Sequence, residues 1–250
     1  IDNNDTKDGD GITQIHSNIA GNNSYHVLVS AQGGSNTRLD GLYITAGNAN
    51  TNTNFSYGGR TIYDNTGGGF VADISSMNVL NCFFLGNKSS SEGGAWFSER
   101  ALVNISKTVF KGNSSGTGGA LNIQTAGGII LKNSFLIDNS ATSDGGAMSL
   151  RNDSTVLDNV LMLGNTSGLY GGAIESNGST PIKINNSVLY GNVSHSIGGG
   201  AMYLSQSSAV QVKNSILWNN LEGTNPKTIK YIQSGSGTFA NNIIQARRYF

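Results

Sequence analysis

Residues 103–123 read VNISKTVFKGNSSGTGGALNI. They open with alternating apolar and polar positions, turn at Gly112-Asn113, and close on a glycine pair followed by Ala120-Leu121. Within them, Gly112-Asn113-Ser114-Ser115-Gly116 fits the G-x-S-x-G pattern of a nucleophile elbow. An elbow needs a strand-turn-helix context. What surrounds this one is instead a repeat. The pair Gly118-Gly119-Ala120 recurs as Gly93-Gly94-Ala95, Gly145-Gly146-Ala147, Gly171-Gly172-Ala173 and Gly199-Gly200-Ala201, with Gly68-Gly69-Phe70 a degenerate first copy. Asn113 recurs as Asn87, Asn139, Asn165, Asn192 and Asn220. Steps between second glycines are 25, 25, 27, 26 and 28 residues; between asparagines they are 26, 26, 26, 27 and 28. Two independent markers therefore share one period, and Ser114 occupies a corner that other copies fill with Lys88, Ser140, Thr166 and Val193.

Aligned, the copies give columns. Met77, Val103, Ile129, Thr155, Ile182 and Val210 form one; two residues on lie Val79, Ile105, Leu131, Leu157, Ile184 and Val212. Mostly polar residues separate them, which is the period of a strand buried on one face. Continuing that period puts Asn81, Asn133, Asn159, Asn186 and Asn214, interrupted by Lys107, in the inward phase, followed by Phe83, Val109, Phe135, Leu161, Val188 and Ile216. The stacked amides are then expected to form a buried ladder, hydrogen-bonding from copy to copy. The turn asparagines, usually preceded by Gly, suit corners in the left-handed backbone region. A second short strand follows each glycine pair, and stripes at helical spacing are absent.

Units of about 26 residues cannot bury an apolar face alone, so they stack. The expectation is one all-β domain over residues 1–250, a right-handed parallel β-helix. An N-terminal arm spans 1–20, an inserted loop 48–65, and an exit coil 221–250. The insertion follows from the 40 residues between Gly41 and its equivalent Asn81.

Composition limits function. Fifteen Lys and Arg balance fifteen Asp and Glu, which favours neither nucleic acid nor an anionic membrane surface. One cysteine, Cys82, excludes an intrachain disulfide framework and a Cys-rich metal site. No apolar run is long enough to span a bilayer, and the start at Ile1 without Met reads as a processed chain or a fragment.

The GGA corners and the F-x-x-N signatures at Phe84-Leu85-Gly86-Asn87 and Phe110-Lys111-Gly112-Asn113 resemble the repeats of chlamydial polymorphic outer-membrane proteins and of large β-helical bacterial surface proteins. Later copies put Leu136, Met162, Leu189 and Leu217 at the Phe position. Segments 22–30, 37–50 and 214–220 resemble the first and last coils of such proteins, so coverage runs from about residue 20. The resemblance implies an extracellular, bacterial cell-surface location and an adhesin-like or structural role; such repeats specify fold better than function.

Catalysis is not expected. Polysaccharide lyases and hydrolases on this fold need converging carboxylates, whereas Asp138, Asp144, Asp153 and Asp158 fall in different columns and Glu175 shares its own with Phe97, Asn122, Ser149 and Tyr203. Polysaccharide binding or cleavage stands as the alternative function. No cofactor is expected: Asp5, Asp8 and Asp10 look like a calcium loop, but the register that EF-hands need puts Ile15 or Ser17 where Glu belongs, which favours a solvated acidic arm over a Ca²⁺ site. His16, His26 and His195 lack ligand spacing.

Two features break the repeat and are the candidate ligand or partner surface. The insertion carries Phe55, Tyr57, Arg60 and Tyr63; it is an ordinary surface loop or a specificity loop. The column ending in Tyr190 and Trp218 either faces outward as a stacking platform or packs into the core at a bend, the reading favoured here. Partners consistent with these features are other surface proteins, host or environmental glycans, or copies of the chain itself, with no nucleic acid and no direct insertion into a membrane.

Overall fold

The structure, a computed structural model, describes residues 4–34, 37–124, 127–151, 154–178, 181–196, 198–205, 209–226, 229–231 and 236–245. Asp153 and the end of the exit coil, 246–250, lie outside them. It is an all-β parallel solenoid. Sheet A stacks eight strands, from Leu28–Ala31 and Phe70–Asp73 through Trp96–Glu99, Leu121–Gln124, Met148–Arg151, Ile174–Asn177 and Met202–Ser205 to Ile229–Tyr231. Sheet B, of fourteen strands, contains the alternating segments, and narrow sheet C carries the residues just past each turn asparagine. Pairing between successive coils is parallel and in register, as in Val103↔Ile129↔Thr155↔Ile182.

The first two sequence columns are the core: every member of both is at most 1% exposed. From sheet A, Phe70, Trp96, Leu121, Met148, Ile174 and Met202 close the interior from the other side. Trp96 lies 4.9 Å from Phe70 and 5.9 Å from Phe84, and Phe84 stacks on Phe110 at 4.8 Å.

Two expectations are corrected. Asn81, Asn133, Asn159, Asn186 and Asn214 do not point inward: all five are exposed, with φ between 50 and 55°. A single left-handed residue at this place inserts an extra outward position, so the period-2 phase slips by one. The buried column beyond the bend is therefore Phe84, Phe110, Leu136, Met162, Leu189 and Leu217, each fully buried. Phe83, Val109, Phe135, Leu161, Val188 and Ile216 face out instead. The exposed amides still touch, with Asn159 Nδ2 donating to Asn133 Oδ1 at 2.8 Å and Asn214 to Asn186 at 3.3 Å.

The buried ladder is made by the turn asparagines. Asn87, Asn113, Asn139, Asn165, Asn192 and Asn220 are all 0% exposed. Their backbones are not left-handed; the residue before each supplies that conformation, at Gly86, Gly112, Asp138, Gly164, Gly191 and Asn219. At Asn139 the backbone N–H and the side-chain Nδ2 both donate to Asn165 Oδ1 at 3.0 Å, and Nδ2 also donates to Phe110 O at 3.0 Å. Each interior amide is saturated, which is what makes it tolerable in a dry interior.

The glycine pairs are sites of close approach. A Cβ on Gly146 would overlap the carbonyl oxygen of Gly172 in the next coil.

Candidate functional site

The insertion is a β-hairpin. Asn54–Tyr57 pairs antiparallel with Arg60–Tyr63, joined by Gly58 and Gly59 at φ 57 and 69°, the two-residue turn that requires left-handed backbone at both central positions. One face docks on sheet A: Ile62 is 1% exposed and clusters with Val71, Phe97 and the partly buried Val29. Val71 and Phe97 sit at outward positions of sheet A, so without the hairpin they would meet solvent.

Charge fixes the same joint. Arg60 Nε donates to Asp73 Oδ2 at 2.6 Å, and Arg100 Nη2 to Asp73 Oδ1 at 2.9 Å. Arg100 also lies 3.2 Å from Glu99, and Arg151 3.4 Å from Glu92. Gln124 Nε2 donates to Glu92 Oε1 at 2.7 Å. Asp73 raises the Arg60 guanidinium above its usual range. Burial first, then the charge of Asp73, pushes the Glu99 carboxyl up. Between hairpin and sheet lies a cleft of about 190 Å³ lined by Tyr63, Thr66, Asp73, Glu92, Phe97 and Glu99 among others. Its rim is a set of mutually compensated charges, with donors and acceptors held in fixed directions.

Of the hairpin residues singled out from sequence, Tyr57 and Tyr63 are 52% and 54% exposed. Arg60 is turned back onto Asp73. Phe55, 40% exposed, has its ring 6.0 Å from that of His26. Burial lowers the His26 pKa, and its Nε2 is 3.6 Å from Asp64. Tyr190 and Trp218 lie elsewhere, on the outer face of sheet B. They are register partners in adjacent coils, 42% and 45% exposed, so placement in the core is corrected: the phase slip at the bend turns their column outward. The structure thus brings the hairpin residues to sheet A and leaves the aromatic pair on a separate face.

The N-terminal acids serve the arm's own folding. Asp8 Oδ1 accepts from the backbone N–H of Asp10 and Ile12 and Oδ2 from Gln14 Nε2, and these bonds, Ile12 first and Gln14 next, hold its carboxyl below the usual range. Asp5 accepts from Ala20 N and Asn23 Nδ2, both at 2.7 Å. Among the described residues no three His, Cys, Asp or Glu side chains converge as a metal site.

Sequence columns missed a second cluster on sheet A. Glu175 faces outward yet is only 7% exposed, with Ser149 Oγ donating to its Oε2 at 2.9 Å. Burial first, helped by the charge of Asp144, raises its carboxyl to about 7. Tyr170 and Tyr203 stack beside it at 4.3 Å. Asp144 comes from the residue before a glycine pair and Glu175 from the strand after the next one, so no single column contains both; the signal was the step across the glycine corner.

No protein-family model matches the chain, and neither do the curated proteins or the solved structures.

Proposed function

We propose that the chain is a non-catalytic, extracellular bacterial surface β-helix, adhesin-like in role, whose hairpin-walled cleft holds an uncharged polar ligand such as the hydroxyl face of a glycan. The observation that carries this reading is the hairpin itself. It breaks the 26-residue regularity with a folded, docked element, and it presents Tyr57 and Tyr63 to solvent beside a rim of compensated charges. Arginine-bound carboxylates accept from sugar hydroxyls without being free to exchange protons, and tyrosine faces stack on sugar rings. The test is a glycan array probed with the wild-type chain, with Tyr63→Ala, and with a variant in which residues 54–63 are replaced by a short Gly-Ser turn. Binding that both variants lose supports the reading; glycan binding indifferent to both changes refutes it.

A polysaccharide-degrading reading draws on one observation, the buried Glu175 carboxyl beside Asp144. A carboxyl titrating near neutrality is suited to general acid catalysis. New reducing ends or unsaturated products released from a polysaccharide by the wild type, and abolished in Glu175→Gln, would establish it over the binding role.

A further inference from the structure

A net charge of zero conceals two unlike faces. The outer side of sheet A carries Asp73, Glu92, Glu99, Asp144 and Glu175 against Arg60, Arg100 and Arg151, largely paired with one another. The outer side of sheet B carries Lys107, Lys111, Lys132, Lys183 and Lys213. Four of these are exposed and Lys111 is half-buried. None of the five is ion-paired among the described residues. Of the acids on the same face, Asp40 is paired with Arg38 and also accepts from Asn81, while Asp158, the register partner of Lys132, accepts from the neutral Asn186 amide and keeps its charge, leaving the lysines in excess.

The same face displays apolar and amide groups in rows. Phe135, Tyr190 and Trp218 are 45%, 42% and 45% exposed, and the left-handed asparagines line the bend beside them. A shallow groove of about 280 Å³ runs between Asn78, Asn104, Ile130 and Lys132. Coils recur every ~4.8 Å, and lysines stand on four of them: Lys107 and Lys111 share one coil, Lys132, Lys183 and Lys213 occupy one each, and the coil of Thr155–Leu163 carries Asp158 instead. The N-terminal arm covers its N-terminal end: His16 N donates to Gly112 O, Thr45 Oγ1 donates to Thr13 O, and Leu85 nearby is 4% exposed.

We propose that this face binds an anionic polysaccharide laid along the solenoid axis, its carboxylate or sulfate groups on the lysines and its sugar rings on Tyr190 and Trp218. The unpaired positive charge selects a polyanion. The spread of lysines over four coils selects an extended chain over a compact ligand. A second copy of the chain is disfavoured, because two such faces would oppose lysine to lysine. The site is distinct from the hairpin cleft and goes beyond the function assigned to it.

The experiment measures binding of the full chain to immobilised polygalacturonate, neutral dextran and duplex DNA over a series of NaCl concentrations. Polygalacturonate is bound and dextran is not. The triple variant Lys132→Ala/Lys183→Ala/Lys213→Ala weakens binding by about tenfold or more and flattens its salt dependence. Trp218→Ala weakens it without changing the salt dependence. The variant lacking the hairpin binds polygalacturonate as wild type does, so this result stands or falls separately from the glycan-array result. Four results overturn the proposal: no binding to polygalacturonate, equal binding to DNA, indifference to the triple substitution, or a requirement for the hairpin. A dimer that Trp218→Ala dissociates would assign the face to self-association and overturn the proposal as well.

Discussion

Replacing Asn139 by Ala removes four hydrogen bonds from a site with no access to water. Asn139 Nδ2 gives up its bonds to Asn165 Oδ1 and Phe110 O. Its Oδ1 gives up those received from Asn113 N at 3.1 Å and Asn113 Nδ2 at 2.9 Å. Asn165 Oδ1 keeps the Asn139 backbone N–H as donor, but the Asn113 N–H is left without this acceptor in a residue that is 0% exposed. Each buried group stranded in this way costs about 1–3 kcal/mol, so the substitution is expected to cost about 4 kcal/mol. The contrast is Asn133, whose name and interval in the repeat are the same. It is exposed, its Oδ1 accepts one bond from Asn159, and its φ is 50°. Asn133→Ala loses that bond and strains a left-handed residue, at about 1–2 kcal/mol, while Asn133→Gly is near neutral. Chemical denaturation followed by circular dichroism gives the three values, and hydrogen exchange at the Asn113 amide reports the local effect. If Asn139→Ala and Asn133→Ala come out within about 1 kcal/mol of each other, the assignment of the ladder to the corner asparagines is wrong.

Thr155 stands in an otherwise aliphatic core column, 0% exposed, with its Oγ1 unpartnered; Thr155→Val is expected to stabilise by about 1 kcal/mol in the same denaturation assay, and a loss of stability would contradict the burial of that hydroxyl. Glu175, raised from 4.5 to about 7, holds its proton more tightly folded than unfolded. Its contribution is therefore complete below pH ~4.5, declines as pH rises through ~7 and is absent above, a difference on the order of 3 kcal/mol that Glu175→Gln abolishes; denaturation midpoints measured from pH 4 to 9 check the sign. Gly146→Ala drives a Cβ into the backbone of Gly172 and Thr166 and is expected to prevent folding or cost more than about 3 kcal/mol, whereas Gly191→Ala, at φ 65° with open space around it, costs about 1 kcal/mol; soluble yield and melting temperature separate the two.

The repeat period, the parallel stacking and the first two core columns were legible because they rest on spacing alone, and spacing survives stacking. The phase beyond residue 80 was not. One left-handed residue turns a nine-residue strand such as Ile129–Ile137 into two half-strands of opposite parity, and Asn is both an αL residue and a ladder residue, so its name does not reveal which role it plays. The two asparagine columns exchanged roles for that reason. In the insertion, aromatic residues and length were readable, and Gly58-Gly59 between alternating residues was an unused hairpin signal. The docking of Ile62 over Phe97 was not readable, since those residues are 35 positions apart and belong to different coils. Glu175 escaped because burial on an outward face depends on neighbours across the glycine corner.

The corner ladder also has a direction. In every link the N–H and Nδ2 of one asparagine reach the oxygen of the asparagine in the coil that follows, from Asn87 to Asn113 and onward to Asn220. The two ends of the ladder are therefore unlike: the first asparagine offers an oxygen, which the Gly47 N–H meets at Asn87 Oδ1, and the last offers donors, so a coil that continues the stack past Asn220 must bring an acceptor to the corner.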